Sequence, residues 1–298
     1  MSAIRTVAIA GASGNLGPTI LKAVVDAGFE ATVFARANST HQFPSGIMIV
    51  NVDYNSKDSI TQALKGQDAL ISTIGNASPV LQANLIGAAI SAGVKRYIPS
   101  EFGSDTTLLE NSHLPVYGHK IAHLKDVKDK VNGTQTTYTF LINGPFLDWG
   151  LNVGFLANMK ERKVDLWDGG DVPFSATPLP KIGDAVVAIL RRPAETANKV
   201  LRIHGMVLTA QKIVQVAKRV LGPDGWKTSE PSTGDAEAKS WEVLKSDPGN
   251  VNGWVLGFLF RAIFAKEAKP EFLQVDNNLL GIEMTTEAEF ETMIRSAA

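Results

Sequence analysis

Apolar positions along the chain follow two different periods. Over the first 145 residues, Arg5–Ala10, Ala31–Ala35, Ile47–Val50, Ala69–Ile74, Arg96–Ile98 and Thr137–Ile142 are short runs rich in Val and Ile. They are continuously apolar, as strands covered on both faces are. Between them, Leu16–Ala27, Lys57–Leu64, Pro79–Ala92 and Tyr117–Val131 repeat apolar residues every three to four positions and predict helices. Strands alternating with helices join through right-handed parallel crossovers, which predicts an α/β fold built on a doubly wound parallel sheet. After "NGPFLDWG", Asn143–Gly150, the alternation fails, and "VDLWDGGDVPFSATPLP" predicts a hairpin or loop. Ile182–Arg191 and Ala210–Leu221 predict helices that return to the main body. "GPDGWKTSEPSTGDAEAKS" reads as a polar connection, and Val251–Ala268 as one more helix.

Composition narrows what such a fold can do. Twenty-nine basic residues against thirty acidic ones leave a net charge of −1, so no global field draws the chain to nucleic acid or anionic lipid. Cysteine is absent, which removes disulfides, thiolate zinc, iron–sulfur clusters and thiol nucleophiles, and suits a reducing compartment. The opening "MSAIRTVAIA" runs straight into a strand pattern, without the n-region and cleavage site of a signal peptide. The apolar run "WVLGFLF", Trp254–Phe260, stops at Arg261, well short of the roughly 20 residues that span a bilayer. The expectation is a cytoplasmic protein, monomer or homodimer, whose partner is a small molecule rather than a nucleic acid or a membrane.

"VAIAGASGNLGPTI" places Gly11, Gly14 and Gly17 directly after the first strand and before the first helix. The first glycine permits a tight turn, the second lets backbone N–H groups close on a pyrophosphate, and the third lets helix and strand pack closely. Ser13, Asn15 and Leu16 complete the loop. The spacing is G-x-x-G-x-x-G, and no Gly-Lys-Ser/Thr follows to make a phosphate loop of the nucleotide triphosphatase kind. A Rossmann-type nucleotide-binding unit over residues 1–150 is expected, followed by a smaller, irregular substrate region over 151–298. The second strand ends in Arg36, where an NAD site would present an acid to the ribose 2′-hydroxyl. Arginine there attracts a 2′-phosphate, with Asn38, Ser39 and Thr40 alongside, and so favours NADP(H); a solvated surface arginine is the alternative. Asp53 suits an adenine contact or a helix N-cap. Ligands on such sheets lie across the strands' carboxyl ends, which nominates Thr73, Ile74 and Gly75 in "ISTIGN". Ser100, Glu101 and Phe102 in "YIPSEFGSD" follow by the same rule, nearer the nicotinamide.

The stretch "LPVYGHK" puts Tyr117 three residues before Lys120, one short of the Tyr-x-x-x-Lys spacing of many carbonyl reductases. Taken together, "GASGNLG", an arginine ending strand two, "PSEFG", a lysine about twenty residues later and "NGPF" after strand six resemble the isoflavone reductase-like branch of the NmrA-like family. That branch lies within the atypical short-chain dehydrogenases and includes pinoresinol–lariciresinol and phenylcoumaran benzylic ether reductases; a fungal-type member is expected. The resemblance implies a catalytic lysine without a tyrosine partner, which falls on Lys120, a residue that would also touch the cofactor. It also implies cofactor contacts at Asn143, Gly144, Pro145 and Phe146. Position 116, one helical turn before the lysine, is Val116 and transfers no proton. A buried lysine can be tuned toward neutrality and used as an acid or base; an exposed helix lysine is the alternative. After the lysine, "IAHLKDV" stands where the plant enzymes tend to carry an arginine pair.

Tyr117, Trp149, Phe155 and Trp167 are candidates for an apolar substrate pocket, with ordinary core packing as the alternative for each. His119 and His123 share a helical spacing, yet no third ligand accompanies them, and no metal is expected. The leading expectation is an NADPH-dependent reductase of an aromatic or conjugated small molecule, assisted by Lys120. A redox-sensing regulator that binds NADP without turnover, and a biosynthetic enzyme catalysing a cyclisation or rearrangement, are the alternatives.

Overall fold

The computed structural model describes residues 3–75 and 79–298; Asn76, which ends the "ISTIGN" loop, and the first two residues of "MSAIRTVAIA" lie outside them. The chain runs β1 (Thr6–Ala10), α1 (Gly17–Asp26), β2 (Glu30–Ala35), β3 (Met48–Asn51), α2 (Lys57–Ala63), β4 (Ala69–Ser72), α3 (Pro79–Ala92), β5 (Arg96–Ile98), α4 (Gly118–Val131), β6 (Thr137–Ile142) and α5 (Leu147–Asn152). It continues β7 (Lys163–Asp165), β8 (Phe174–Ala176), α6 (Leu179–Arg191), β9 (Lys199–Arg202), β10 (Met206–Leu208), α7 (Ala210–Leu221), β11 (Lys227–Ser229), α8 (Thr233–Ser246), α9 (Val251–Phe264), α10 (Asn277–Leu280) and α11 (Glu287–Ala297).

Among the described residues, β3, β2, β1, β4, β5, β6 and β9 pair in that spatial order, every pair parallel. The chain winds outward from β1 through β2 and β3, then crosses back to lay β4 on the other side of β1. That reversal parts the loops at the carboxyl ends and opens a crevice there. Alternate residues of each strand serve opposite faces. Val7 and Ile9 join Leu21 and Val24 of α1 and Val186 and Ile189 of α6 in one core. Ala8 and Ala10 join Ile60, Leu85, Ile86 and Val127 from α2, α3 and α4 in the other. This two-sided covering is why the strands read as unbroken apolar runs.

A charged side chain is fully buried in the sheet. The Arg96 guanidinium is fully buried with no carboxylate partner among the described residues. Its Nε donates to Thr137 Oγ1 at 3.0 Å, Nη1 to the hydroxyls of Thr139 and Thr196 at 2.7 Å each, and Nη2 to the Pro193 carbonyl. Burial lowers its pKa to about 10, and these acceptors replace the water that burial removes.

Several elements differ from the sequence-based expectation. β9 is a seventh strand on the main sheet, supplied by a segment beyond residue 150. The expected hairpin is two strands that do not pair with each other: β7 pairs in parallel with β11, and β8 antiparallel with β10. The polar connection contains β11 and the first half of α8, whose start is capped by Ser232 accepting from the Asp235 amide at 3.1 Å. Its outward face is solvated while Trp241 packs edge-on against Phe258 of α9, so the apolar signal was diluted by polar neighbours. β4 ends at Ser72, two residues earlier than expected, with Thr73 still donating to the Ala10 carbonyl from both its amide and its hydroxyl.

α1 and α6 approach closely at Gly183, where an added Cβ would lie 2.9 Å from the Cβ of Ala23. In an open helix glycine-to-alanine gains roughly 1 kcal/mol. Gly183→Ala is expected to do the opposite, losing about 1–3 kcal/mol through overpacking in urea unfolding. A gain in stability would show that the two helices can part without cost.

Candidate active site

The first loop and α1 form a cradle at the crevice. Gly11 has φ +88°, and a Cβ there would fall 2.8 Å from the Ile74 amide nitrogen; a Cβ on Gly17 would fall 2.4 Å from the Gly11 carbonyl oxygen. Both glycines are therefore demanded by the fold. Gly14 differs: its nearest Cβ neighbour is the Gly11 carbonyl at an ordinary 3.4 Å, and its amide donates to that carbonyl at 3.0 Å. Glycine is needed at 14 only if something outside the chain comes close. α1 starts with no side-chain cap and no acid in its first turn, leaving its amides and the positive end of its dipole for an anion. The donor set thus fits a pyrophosphate.

Gly11, Ser13, Gly14, Arg36, Thr73, Ile74 and Gly75 line a cleft of about 260 Å³. A neighbouring cleft of about 830 Å³ is lined by Arg36, Asn38, Asp53, Tyr54 and Leu81. Arg36 belongs to both, is exposed, and has no carboxylate partner among the described residues. Ser39, not Thr40, lines the smaller cleft. Leu16 is buried in the core beneath the loop and Asn15 is exposed. Asp53 is not the cap of α2: Ser56 accepts from the Ser59 amide at 3.2 Å, while the Asp53 carboxylate accepts from Asn55 at 2.9 Å. Tyr54, which sequence reasoning passed over, stands between the clefts and donates to the Phe34 carbonyl at 2.9 Å. Its phenol pKa is raised by burial, against the pull of the Gly11 backbone and Arg36. The only signal in the sequence was its place just past the third strand.

A second cavity, about 220 Å³, opens at the ends of β5 and β6. Phe102, Gly144, Pro145, Phe146, Trp149 and Phe155 line it together with Ser104, Tyr117 and Lys120. Leu256, Leu259 and Ile263 of α9 close one wall, a wall that sequence reasoning had as a helix without a role. Trp167 is not part of the lining. Its ring stacks on Phe260 at 4.4 Å and on Phe264 at 6.3 Å, behind the wall. Asn143 is fully buried beside the cavity rather than in it, its Nδ2 donating to the Gly144 carbonyl at 2.7 Å and its Oδ1 without a partner among the described residues. Gly144 keeps φ +65° and passes within Cβ contact of the Ser175 carbonyl. Ser100 is half-buried at the end of β5 and also lies outside the lining.

Lys120 is 8 % exposed, and Nζ donates to the Phe102 carbonyl at 3.3 Å. Burial lowers its pKa, while the Glu101 carboxylate opposes the shift. Glu101 is 1 % exposed and accepts from the Thr106 hydroxyl at 3.0 Å. Burial pushes its pKa to about 7 against the attraction of Lys120 and the Thr106 bond. Each charge restrains the other's shift, and burial outweighs both restraints.

His113, His119 and His123 go to three places. His113 meets Glu237 at 3.2 Å on the surface. His123 turns inward, its Nε2 3.2 Å from the Tyr97 hydroxyl, which donates to Gln82 at 3.1 Å; burial takes its pKa to about 4 and keeps it neutral. His119 is half-buried with Nε2 unpartnered among the described residues, its pKa lowered by burial and then by Lys120. Among the described residues no cluster of three metal-ligating side chains occurs, and no helix is long and apolar enough to cross a membrane.

The NmrA-like family model matches residues 4–231. The chain belongs to the NmrA-like family. Among its relatives, the oxidoreductase poxI of Penicillium oxalicum is 29 % identical over 286 residues, covering 91 % of this chain and 88 % of that one. The phenylcoumaran benzylic ether reductase of Ginkgo biloba is 25 % identical over 309 residues, covering 96 % and 95 %. A leucoanthocyanidin reductase from Vitis vinifera, solved in binary complex with NADPH, shares the fold at a TM-score of 0.77, with 21 % identity and coverage of 98 % and 99 %. Within the NmrA-like family the chain thus groups with fungal oxidoreductases and with the isoflavone reductase-like plant enzymes.

Glu101 makes the stability of this family member depend on pH. Its folded pKa lies above the ordinary 4.5, so its proton stabilises the fold below about pH 4.5, and that contribution is lost as pH rises through about 7, on the order of 3 kcal/mol at most. In denaturant unfolding across this window, Glu101→Gln should flatten or reverse the decline. Reversal follows if Lys120, deprived of its counter-charge, favours its neutral form as the pH rises. A decline as steep as in the wild type would mean the Glu101 carboxyl is solvated.

Proposed function

We propose that this chain is an NADPH-dependent reductase of an aromatic or conjugated small molecule, with Lys120 as its general acid–base. One observation carries the reading: a buried lysine, tethered by the Phe102 carbonyl, opens into a cavity walled by Phe102, Phe146, Trp149 and Phe155. That cavity shares the sheet's carboxyl edge with the glycine cradle. The names of the fungal and plant relatives, oxidoreductases and reductases, support a redox reaction on a small molecule.

NADP(H) is the cofactor. The loop from Gly11 to Gly17 takes the pyrophosphate on its amides and on the start of α1. Arg36, exposed between two clefts, takes the 2′-phosphate with Asn38 and Ser39 as neutral donors. Tyr54, Asp53 and Leu81 flank the adenine, and Thr73, Ile74 and Gly75 border the middle of the dinucleotide. Bound NADPH supplies a hydride for a carbon of the substrate. Lys120 would give a proton to the substrate oxygen on which charge develops, the product would leave with that proton, and the lysine would be reprotonated from solvent. Burial weakens the lysine's grip on that proton, and Glu101 behind it limits how far the grip weakens. The aromatic wall excludes water from the reacting atoms.

Calorimetry should give NADPH a much lower Kd than NADH, and Arg36→Asp should narrow or reverse the difference. Equal affinities in the wild type would remove Arg36 from the cofactor site. Gly14→Val, which the fold tolerates sterically better than a change at Gly11 or Gly17, should abolish NADPH binding with a cooperative melt retained.

A screen of aromatic enones, quinones and benzylic ethers, followed by NADPH absorbance, would identify a substrate. With it, Lys120→Met should lose roughly 10²–10⁴-fold in kcat while NADPH affinity changes little. Unchanged kcat would sink the role of the lysine; an absence of any NADPH consumption across the screen would favour a sensor without turnover.

A further inference from the structure

A chain of hydrogen bonds runs through the apolar layer between the sheet and the helices α3 and α4. Its first member is His123, three residues beyond Lys120 on α4, whose Nε2 lies 3.2 Å from the Tyr97 hydroxyl. Tyr97, on β5, donates to Gln82 Oε1 of α3 at 3.1 Å. Gln82 Nε2 in turn donates to the Ile74 carbonyl at 3.2 Å, and Ile74 lines the cleft beside the glycine cradle. All three side chains are buried, Tyr97 completely, and Tyr97 belongs to the apolar cluster of Leu85, Ile86, Leu124 and Val127. Polar groups in such a layer are costly unless each one is paired. Apolar side chains of similar shape would close the same core without that cost.

The chain has one direction, set at its end. The Ile74 carbonyl only accepts, so Gln82 must present its amide N–H to it and its oxygen to Tyr97. The Tyr97 hydroxyl gives its single proton to Gln82 and therefore accepts from His123. Burial keeps His123 neutral, so its one ring proton sits on Nε2. Without the Tyr97 hydroxyl the Gln82 oxygen loses its donor, and the amide is free to turn that oxygen against the Ile74 carbonyl.

We propose that Gln82, Tyr97 and His123 are positioning residues that tie the loop after β4 to the helix carrying Lys120, so that the nicotinamide half of NADP(H) is held in one frame with the lysine. The adenosine half depends on Arg36 and its neighbours instead. This deepens the cofactor reading proposed above and rests on it.

Calorimetry with two ligands separates positioning from mere stability: NADPH spans both halves of the site, and adenosine 2′,5′-bisphosphate fills only the adenosine half. Tyr97→Phe, which keeps the ring, should raise the NADPH Kd roughly ten-fold, the worth of one buried hydrogen bond, and leave that of the bisphosphate unchanged. Gln82→Met, of similar length but without the amide, should repeat the loss. His123→Leu should do likewise, whereas His123→Gln, which can still donate to Tyr97, should bind NADPH as the wild type does. Long-range proton–nitrogen spectra of the wild type labelled at histidine nitrogen should show His123 protonated on Nε2 alone at neutral pH, and that measurement needs no variant.

Equal loss of both ligands in the variants would reduce the chain to a packing element and overturn its positioning role. Unchanged NADPH affinity in Tyr97→Phe and Gln82→Met, or no rescue by His123→Gln, would overturn it as well. So would a His123 proton on Nδ1, which reverses the direction of the chain. No binding of NADPH to the wild type would overturn the cofactor reading itself, an outcome separate from the others.

Discussion

Parallel pairing sends the carboxyl ends of seven strands to one edge, and the reversal between β1 and β4 parts their loops at the middle of that edge. How closely the backbone may pass itself there decides the rest. With Gly11 turned to a positive φ against Ile74, and Gly17 pressed on the Gly11 carbonyl, α1 starts within a few residues of β1 and aims its amino end across the crevice. Bulkier residues at either position would push the helix away and leave the cleft without its anion-binding end. The position of Arg36, at the tip of the adjacent strand, follows from the same register.

The surroundings of Lys120 act on how firmly it holds its proton. In a hydrated site an ammonium holds its proton too firmly for exchange near neutrality. Removal of water around Lys120 weakens that hold, and Glu101, itself pushed upward by burial, keeps the weakening within bounds. A buried pair of this kind is costly to maintain, and Thr106 and the Phe102 carbonyl offset part of the cost through hydrogen bonds.

The Rossmann half was legible because its signals are local. The β1 turn, the arginine at the end of β2 and the apolar runs each declare themselves within a few residues. β9 was not legible, since "KVLR" is too short and too charged to announce a strand and acquires its role by pairing with β6. β7, β8 and β11 were obscure for a related reason: their partners lie far away in the chain. At the site, Lys120 was reached only through the resemblance to the isoflavone reductase-like branch, and Trp167 could not be separated from core aromatics, because only packing shows that Phe260 and Phe264 stand around it. Asp53 and Ser56 compete for one cap, and backbone geometry alone decides between them.

The α8–α9 pair is joined backbone to backbone: a Cβ on Gly257 would fall 2.3 Å from the Ala236 carbonyl oxygen. From this rigid hairpin, Leu256, Leu259 and Ile263 reach the cavity along one face of α9. The cofactor cradle is written in the first hundred residues and this wall in the last fifty. Replacing one leucine of the wall by a larger or smaller side chain alters the cavity without touching the cradle. On the function proposed above, recognition and redox machinery can diverge at separate rates, so that a lineage of such proteins would take up new molecules by drifting along a single helix face while its electron source stays the same.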